Sequence, residues 1–194
     1  KEINTQIAEI HIVATENECK EILLLVNKKT ENNSPKIFTR NFLKNNTENN
    51  LQTFDFELVE EKAANVKFAE NIKKYLYEPN AAVMKSGAYR LVSQRFGLEK
   101  LATNTHLYFS DELIENFCGK IFAVKDSWGN AAKTWKEKLK KLEKANISTR
   151  NYPLNTNELR KKLKLQDGGN TFLFACTLAA GKKTILEVEK INKN

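Results

Sequence analysis

The residues able to do chemistry in this sequence are few and scattered. His11 and His106 are the only imidazoles, and both fall inside strand-like patterns, "IAEIHIVA" and "HLYFS". Neither stands near a serine or cysteine in a nucleophile motif. The three cysteines, Cys19, Cys118 and Cys176, lie far apart and show no C-x-x-C spacing. An odd number of cysteines without ligand spacing argues against a zinc site or a disulfide framework, and for thiols in a reducing cytoplasm. Glu78 could serve as a general acid if buried, but beside Pro79 and ahead of a helix it reads more simply as a residue that orients a corner. There is no G-x-G-x-x-G loop and no P-loop, and "DGGN" at Asp167 to Asn170 reads as a turn entering a strand. These positions yield no catalytic set, no metal site and no cofactor site.

Charge is the stronger signal. The 194 residues carry a net charge of +8, and the sequence-derived pI is about 9.3, which points to polyanionic partners. The excess is confined to one end. Residues 119–194 hold 17 Lys and Arg against 7 Asp and Glu, whereas residues 1–79 hold 11 against 13 and residues 80–118 hold four of each. Within the basic end, Lys133, Lys136, Lys138, Lys140, Lys141 and Lys144 form one cluster. Arg160, Lys161, Lys162 and Lys164 form another, Lys182 and Lys183 mark a hairpin tip, and Arg150 lies between the two helices. A solvated helix face explains either helix alone. The density over the whole segment favours phosphate contacts, with Lys144, Arg150, Arg160, Lys161, Lys164, Lys182 and Lys183 as the candidates. Trp128 and Tyr152 could stack bases, although core or rim packing accounts for each. No apolar run reaches the roughly 18–20 residues a membrane span needs, so no membrane partner is expected.

The elements that would position these residues read as α+β. "IAEIHIVA" is a strand, "CKEILLLVNKK" a strand or a short helix, and "PKIFTRNF" and "LQTFDFELV" are shorter strands around the Asn-rich loop "LKNNTENN". After "YLYEPN" a single helix is expected from Asn80 to Phe96, capped by Asn80 and ended by Gly97, with Met84, Ala88, Leu91, Val92 and Phe96 on its apolar face. "HLYFS" is a strand and "DELIENF" a short helix or turn. From Gly119 the order is strand, helix (about Asn130 to Lys144), strand, helix, strand, strand. Asn155 and Glu158 cap the second helix, and a hairpin turns at "AAGKK". That order implies a sandwich with helices on one face of a sheet. The domains expected are a β-rich N-terminal region (1–74), a connecting helix with its following segment (75–118), and a basic domain (119–194). The N-terminus "KEINTQIAEI" has neither an initiator Met nor a signal-peptide pattern, which suggests a fragment or a processed chain.

Three stretches, "EIHIVATENECKEILLLV", "YLYEPNAAVMKSGAYRLVSQRFGLEKLATNTHLYFSDEL" and "KANISTRNYPLNTNELRKKLKLQDGGNTFLFACTLAAGKKTIL", carry a resemblance. Together they resemble the C-terminal half of a bacterial family of class I S-adenosylmethionine-dependent methyltransferases, which bears a ferredoxin-like segment and a terminal THUMP-like domain. The resemblance implies RNA binding by the THUMP-like part. It places S-adenosylmethionine in a Rossmann-like domain of the same parent polypeptide, ahead of this region. "EPNA" lacks the second proline and the aromatic of an Asn-Pro-Pro-type catalytic motif, so no donor-binding or catalytic residue carries over. The expectation is therefore a cytoplasmic, RNA-binding recognition portion of an RNA methyltransferase whose catalytic domain lies outside this chain. Its partner would be structured RNA, either rRNA or tRNA. "YLYEP" would be a rigid hinge, with Tyr75 and Tyr77 packed between two parts. The alternative is a protein-interaction or dimerisation module.

Overall fold

The structure, a computed structural model, describes residues 7–27, 34–44, 50–129, 132–140 and 142–192. The chain divides into two compact units. One comprises Lys1–Val66 with Pro79–Phe96, and the other Lys67–Glu78 with Gly97–Asn194.

The first unit is built on β1 (Ile7–Thr15), β2 (Glu18–Val26), β3 (Lys36–Phe42), β4 (Leu51–Thr53) and β5 (Phe56–Glu57), followed by α1 (Leu58–Ala63). The strand order is β2-β1-β3-β4, with β5 pairing the other part of β3. β1 and β2 form a tight hairpin whose turn residues Glu16 and Asn17 have φ of 52° and 66°, and β1 runs parallel to β3. The hairpin resolves the "CKEILLLV" ambiguity in favour of a strand. "LQTFDFELV" is two short strands and the start of a helix, because Asp55 turns away to accept hydrogen bonds from the Thr39 amide and the Arg40 guanidinium. Most of "LKNNTENN" lies outside the described residues.

The expected single helix from Asn80 to Phe96 is two helices, α2 (Ala81–Ser86) and α3 (Tyr89–Phe96). Gly87, at φ 80°, takes the left-handed conformation that ends a helix, and the apolar periodicity runs on across the break. Ala88, Leu91 and Val92 are buried as expected, and Met84 and Phe96 are half-buried. Asn80 does cap α2, accepting from the Val83 amide at 3.0 Å. The Asn17 side chain meets the Ala81 amide at 2.8 Å, and Gln52 accepts from both Asn80 and Asn41 at 3.1 Å. The Glu61 carboxylate of α1 caps α3 through the Arg90 and Leu91 amides.

The second unit holds a seven-stranded sheet of order β10-β11-β12-β9-β6-β8-β7. Its strands are β6 (Tyr75–Pro79), β7 (Glu99–Ala102), β8 (Thr105–Ser110), β9 (Gly119–Trp128), β10 (Asn146–Arg150), β11 (Phe172–Thr177) and β12 (Lys183–Ile191). Helices α4 (Ala132–Leu139) and α5 (Thr156–Leu163) connect the strands on either side of β10. Both helices pack on one face, where Trp135, Leu159 and Leu163 meet Ile147, Leu173, Ala175 and Ile185. The other face is a second core made of sheet residues, among them Leu76, Phe109, Phe122, Phe174 and Leu186. The mixed α+β class and the one-sided helices are as the patterns implied.

Two readings change here, and a third, left open by the sequence, is settled. "YLYEP" is no mere helix lead-in but strand β6 in the middle of the sheet, with Leu76 and Tyr77 fully buried. Its alternation was masked by the Glu-Pro pair, and Pro79 occupies the last strand position. Tyr77 packs edge-on to Phe117 at 5.1 Å, donates its hydroxyl to the Glu112 carbonyl at 2.8 Å and accepts from the Ile114 amide at 2.9 Å. Of the two readings of "DELIENF", short helix or turn, the turn is the one formed, and that hydroxyl pins it. α4 ends at Leu139, short of Lys144, because the Glu143–Ala145 backbone pairs with Gln166.

Candidate nucleic-acid interface

The basic residues are presented by α5 and by the ends of the strands around it. Asn155 and Glu158 form the expected capping box, each side chain accepting from the other's backbone amide at 2.8–3.0 Å. Leu159 and Leu163 are buried against the sheet, so Lys161, Lys162 and Lys164 face solvent. Lys164 closes the helix in the left-handed conformation, a position more often filled by glycine. Positive side chains in a last turn also complement the helix dipole, which accounts for part of the cluster without any ligand.

The seven candidates fall into two groups at opposite ends of the strands. Lys144, Arg160, Lys161 and Lys164 gather where α5 ends and β10 and β11 begin, with Lys144 pairing with Gln166 through the backbone. Arg150 ends β10, and Lys182 and Lys183 lie beyond β11, where Ala180 and Gly181 turn the chain with φ of 57° and 76°. β11 separates the groups by five residue steps, about 17 Å.

The two arginines are not free to reach outwards as the lysines are. Arg160 donates to the Asp167 carboxylate at 2.6 Å and to the Ala145 carbonyl at 3.1 Å, bracing the helix end. Arg150 donates through Nε (3.1 Å) and Nη2 (2.5 Å) to one oxygen of Glu78, whose other oxygen lies 3.9 Å from the Lys120 ammonium. Glu78 is 7% exposed. With both oxygens facing cations, it ties central strand β6 to edge strand β10. That ion-paired cluster was not legible in the sequence, since its members lie 42 and 72 positions from Glu78.

The α4 lysines contribute less. Lys138 is paired with Asp126, whose carboxyl this bond holds below its usual range. The cleft of about 600 Å³ beside α4 mixes Lys125 and Lys138 with Asp126, Glu137 and Glu187, so it is no anion site. Lys140 is exposed, and the side chains of Lys133, Lys136 and Lys141 lie outside the described residues. Lys162 sits 5.2 Å from the Trp135 ring centroid in a cation–π contact. Trp128 is fully buried and donates to Glu187, so it offers no base a platform, and Tyr152 packs at the rim of the helix-side core.

Nothing at the chemically capable positions assembles a reaction centre. Burial, with help from the Lys100 charge, lowers His106 to about 4, so it is a neutral imidazole at physiological pH. Burial pushes the Cys176 thiol up to about 12, which makes it inert. His11 pairs with Glu9 at 2.7 Å and stacks on Phe38. Among the described residues there is no cluster of metal-ligating side chains, and no helix is long and apolar enough to cross a membrane.

Two family models match parts of the sequence. Residues 75–117 match a ferredoxin-like domain, and residues 119–190 match a domain described as THUMP domain-like. No curated protein matches the chain. Among solved structures it is similar to a Porphyromonas gingivalis W83 protein described as a "putative methyltransferase", with 33% identity and a TM-score of 0.86. That match covers 96% of this chain and 46% of the other, so the chain spans under half the length of its relative. The chain thus carries a ferredoxin-like domain followed by a THUMP-like domain, and it is similar along nearly its whole length to that "putative methyltransferase".

Proposed function

We propose that this chain is the RNA-recognition portion of an S-adenosylmethionine-dependent RNA methyltransferase. The observation that carries the reading is the THUMP-like match over residues 119–190, which coincides with the segment of net charge +10. The exposed lysines Lys144, Lys161, Lys164, Lys182 and Lys183 contact phosphates of structured RNA, tRNA or rRNA, at two points about 17 Å apart. Arg150 and Arg160 hold the strand and helix ends from which those lysines project. Such contacts supply affinity and register but no base choice, and an A-form duplex is gripped through phosphates and 2′-hydroxyls.

S-adenosylmethionine belongs to another domain of the parent polypeptide, because the residues here do not fit a donor cradle. Gly168 and Gly169 lead from a helix into a strand, the reverse of the strand-to-helix loop that binds such cofactors.

RNA binding across a salt series tests the reading. Affinity is expected to fall steeply with salt, and each lysine among Lys161, Lys164, Lys182 and Lys183 replaced by alanine should reduce the log–log slope by about 1. Absence of binding to tRNA, rRNA fragments and duplex DNA at low salt would sink the proposal and leave the protein-interaction reading. Clear calorimetric binding of S-adenosylmethionine to this chain alone would overturn the assignment of the donor to another domain.

A further inference from the structure

β2 is the edge of the five-stranded sheet, yet half of it has the sequence of an interior strand. Ile22, Leu23, Leu24, Leu25 and Val26 each keep 45–52% of their surface exposed. Side chains alternate across a strand, so this run bares aliphatic surface on both faces at once. Edge strands are ordinarily blunted by charge, proline or a bulge. Glu18, Lys20 and Glu21 do so in the first half of β2, whereas Ile22–Val26 carries neither charge nor proline, and its register shift, between Leu25 and Val26, takes up an extra residue on β1 rather than on β2. A continuous aliphatic run belongs to a strand paired on both sides and covered on both faces, as in sheets layered between helices.

Register and length say what covers it. Ile7, the first residue of β1, pairs with Val26, so β1 starts beside the aliphatic end of β2. The charged end lies by the hairpin turn at the far side. The relative from Porphyromonas gingivalis is more than twice as long as the part this chain matches.

We propose that Ile22–Val26 is the docking edge for another domain of a longer polypeptide carrying this chain, which adds a strand beside β2 and lays apolar side chains over both its faces. The ladder of outward N–H and C=O groups fixes the alignment, and the five aliphatic residues supply the buried area. A second copy of the chain could pair β2 with β2, but it would leave both faces in water. The inference concerns assembly only and does not depend on whether the chain binds RNA.

The test is amide hydrogen exchange and sedimentation of the 194-residue chain and of the full-length polypeptide that contains it. The isolated chain is expected to be monomeric. Outward amides of Ile22–Val26 should exchange about 100-fold or more slowly in the full-length polypeptide than in the isolated chain. Leu24→Lys with Leu25→Lys, one change on each face, should abolish that difference while β1 and β3 stay protected, which certifies the fold. Equal exchange in the two polypeptides, or a full-length polypeptide no longer than this chain, overturns the proposal. So does a dimer of the isolated chain that the two lysines dissolve, which would assign the edge to a second copy.

Discussion

The two sheets use similar residues to opposite effect. In the seven-stranded sheet the large apolar side chains are buried, as Leu76, Phe109, Phe122 and Leu186 are, each 1% exposed or less. In the five-stranded sheet the most aliphatic stretch of the whole chain, Ile22–Val26, stands half in water. Hydrophobicity of a strand therefore does not locate the core. Position in the sheet does, because a strand buries both of its faces only where a layer covers each of them. The same lesson applies to charge. Arg150 and Arg160 are as basic as Lys161 and Lys183, but a carboxylate holds each arginine in place. Local sequence sets the charge, and distant partners decide whether it is available.

The contrast between the sheets can be broken most sharply by a matched pair of truncations. Phe122 packs against Phe172 and Phe174 at 5.0–5.5 Å, so Phe122→Ala should cost about 3–5 kcal/mol. Leu24→Ala, already half-solvated, should cost about 1 kcal/mol or less. Denaturation followed by far-ultraviolet circular dichroism, which reports strands of both sheets, should register a large loss for the first change and a small one for the second. Equal losses would mean that β2 is more deeply packed than its exposure indicates.

A somewhat smaller effect is expected where charge joins β6 to β10. Glu78→Ala leaves Arg150 and Lys120 facing each other without their carboxylate, and the loss should be about 2–3 kcal/mol. Adding Arg150→Ala should recover part of it. A strictly additive double variant would show that the pair contributes no coupling.

The smallest effect is gated by pH. His106 keeps its proton only below about 4 when folded, against an ordinary imidazole value of 6.5. Between those values the unfolded chain binds a proton that the folded chain refuses, so stability falls as pH drops through that window and is constant above it. Melting temperatures measured from pH 7.5 to 5, where carboxylates remain ionised, should decline for the native chain. They should stay level for His106→Asn, and identical slopes would rule out His106 as the source.

How much of this was legible can be argued from particular residues. The Asn80 and Asn155 caps, the hairpin at Ala179–Gly181 and the order of elements after Gly119 were readable, because each depends on chemistry within a few positions. The break at Gly87 was not, since the apolar spacing of Ala88, Leu91 and Val92 continues across it. Strand β6 was missed because Pro79 disguises an alternation that only its neighbours β8 and β9 make meaningful. The candidate lysines were found by counting charge, whereas their division between two ends of β11 could not be.

By itself, the sequence determined the α+β class, the local caps and turns, and the concentration of positive charge in the last 76 residues. Those properties follow from side-chain periodicity and composition, which act over short range. Tertiary structure decided which charges stay exposed, which carboxylate captures Arg150, and that the most aliphatic strand lies at an edge. Those outcomes depend on strand order and register between segments far apart in the chain, and no local rule encodes which distant backbone a strand will pair with.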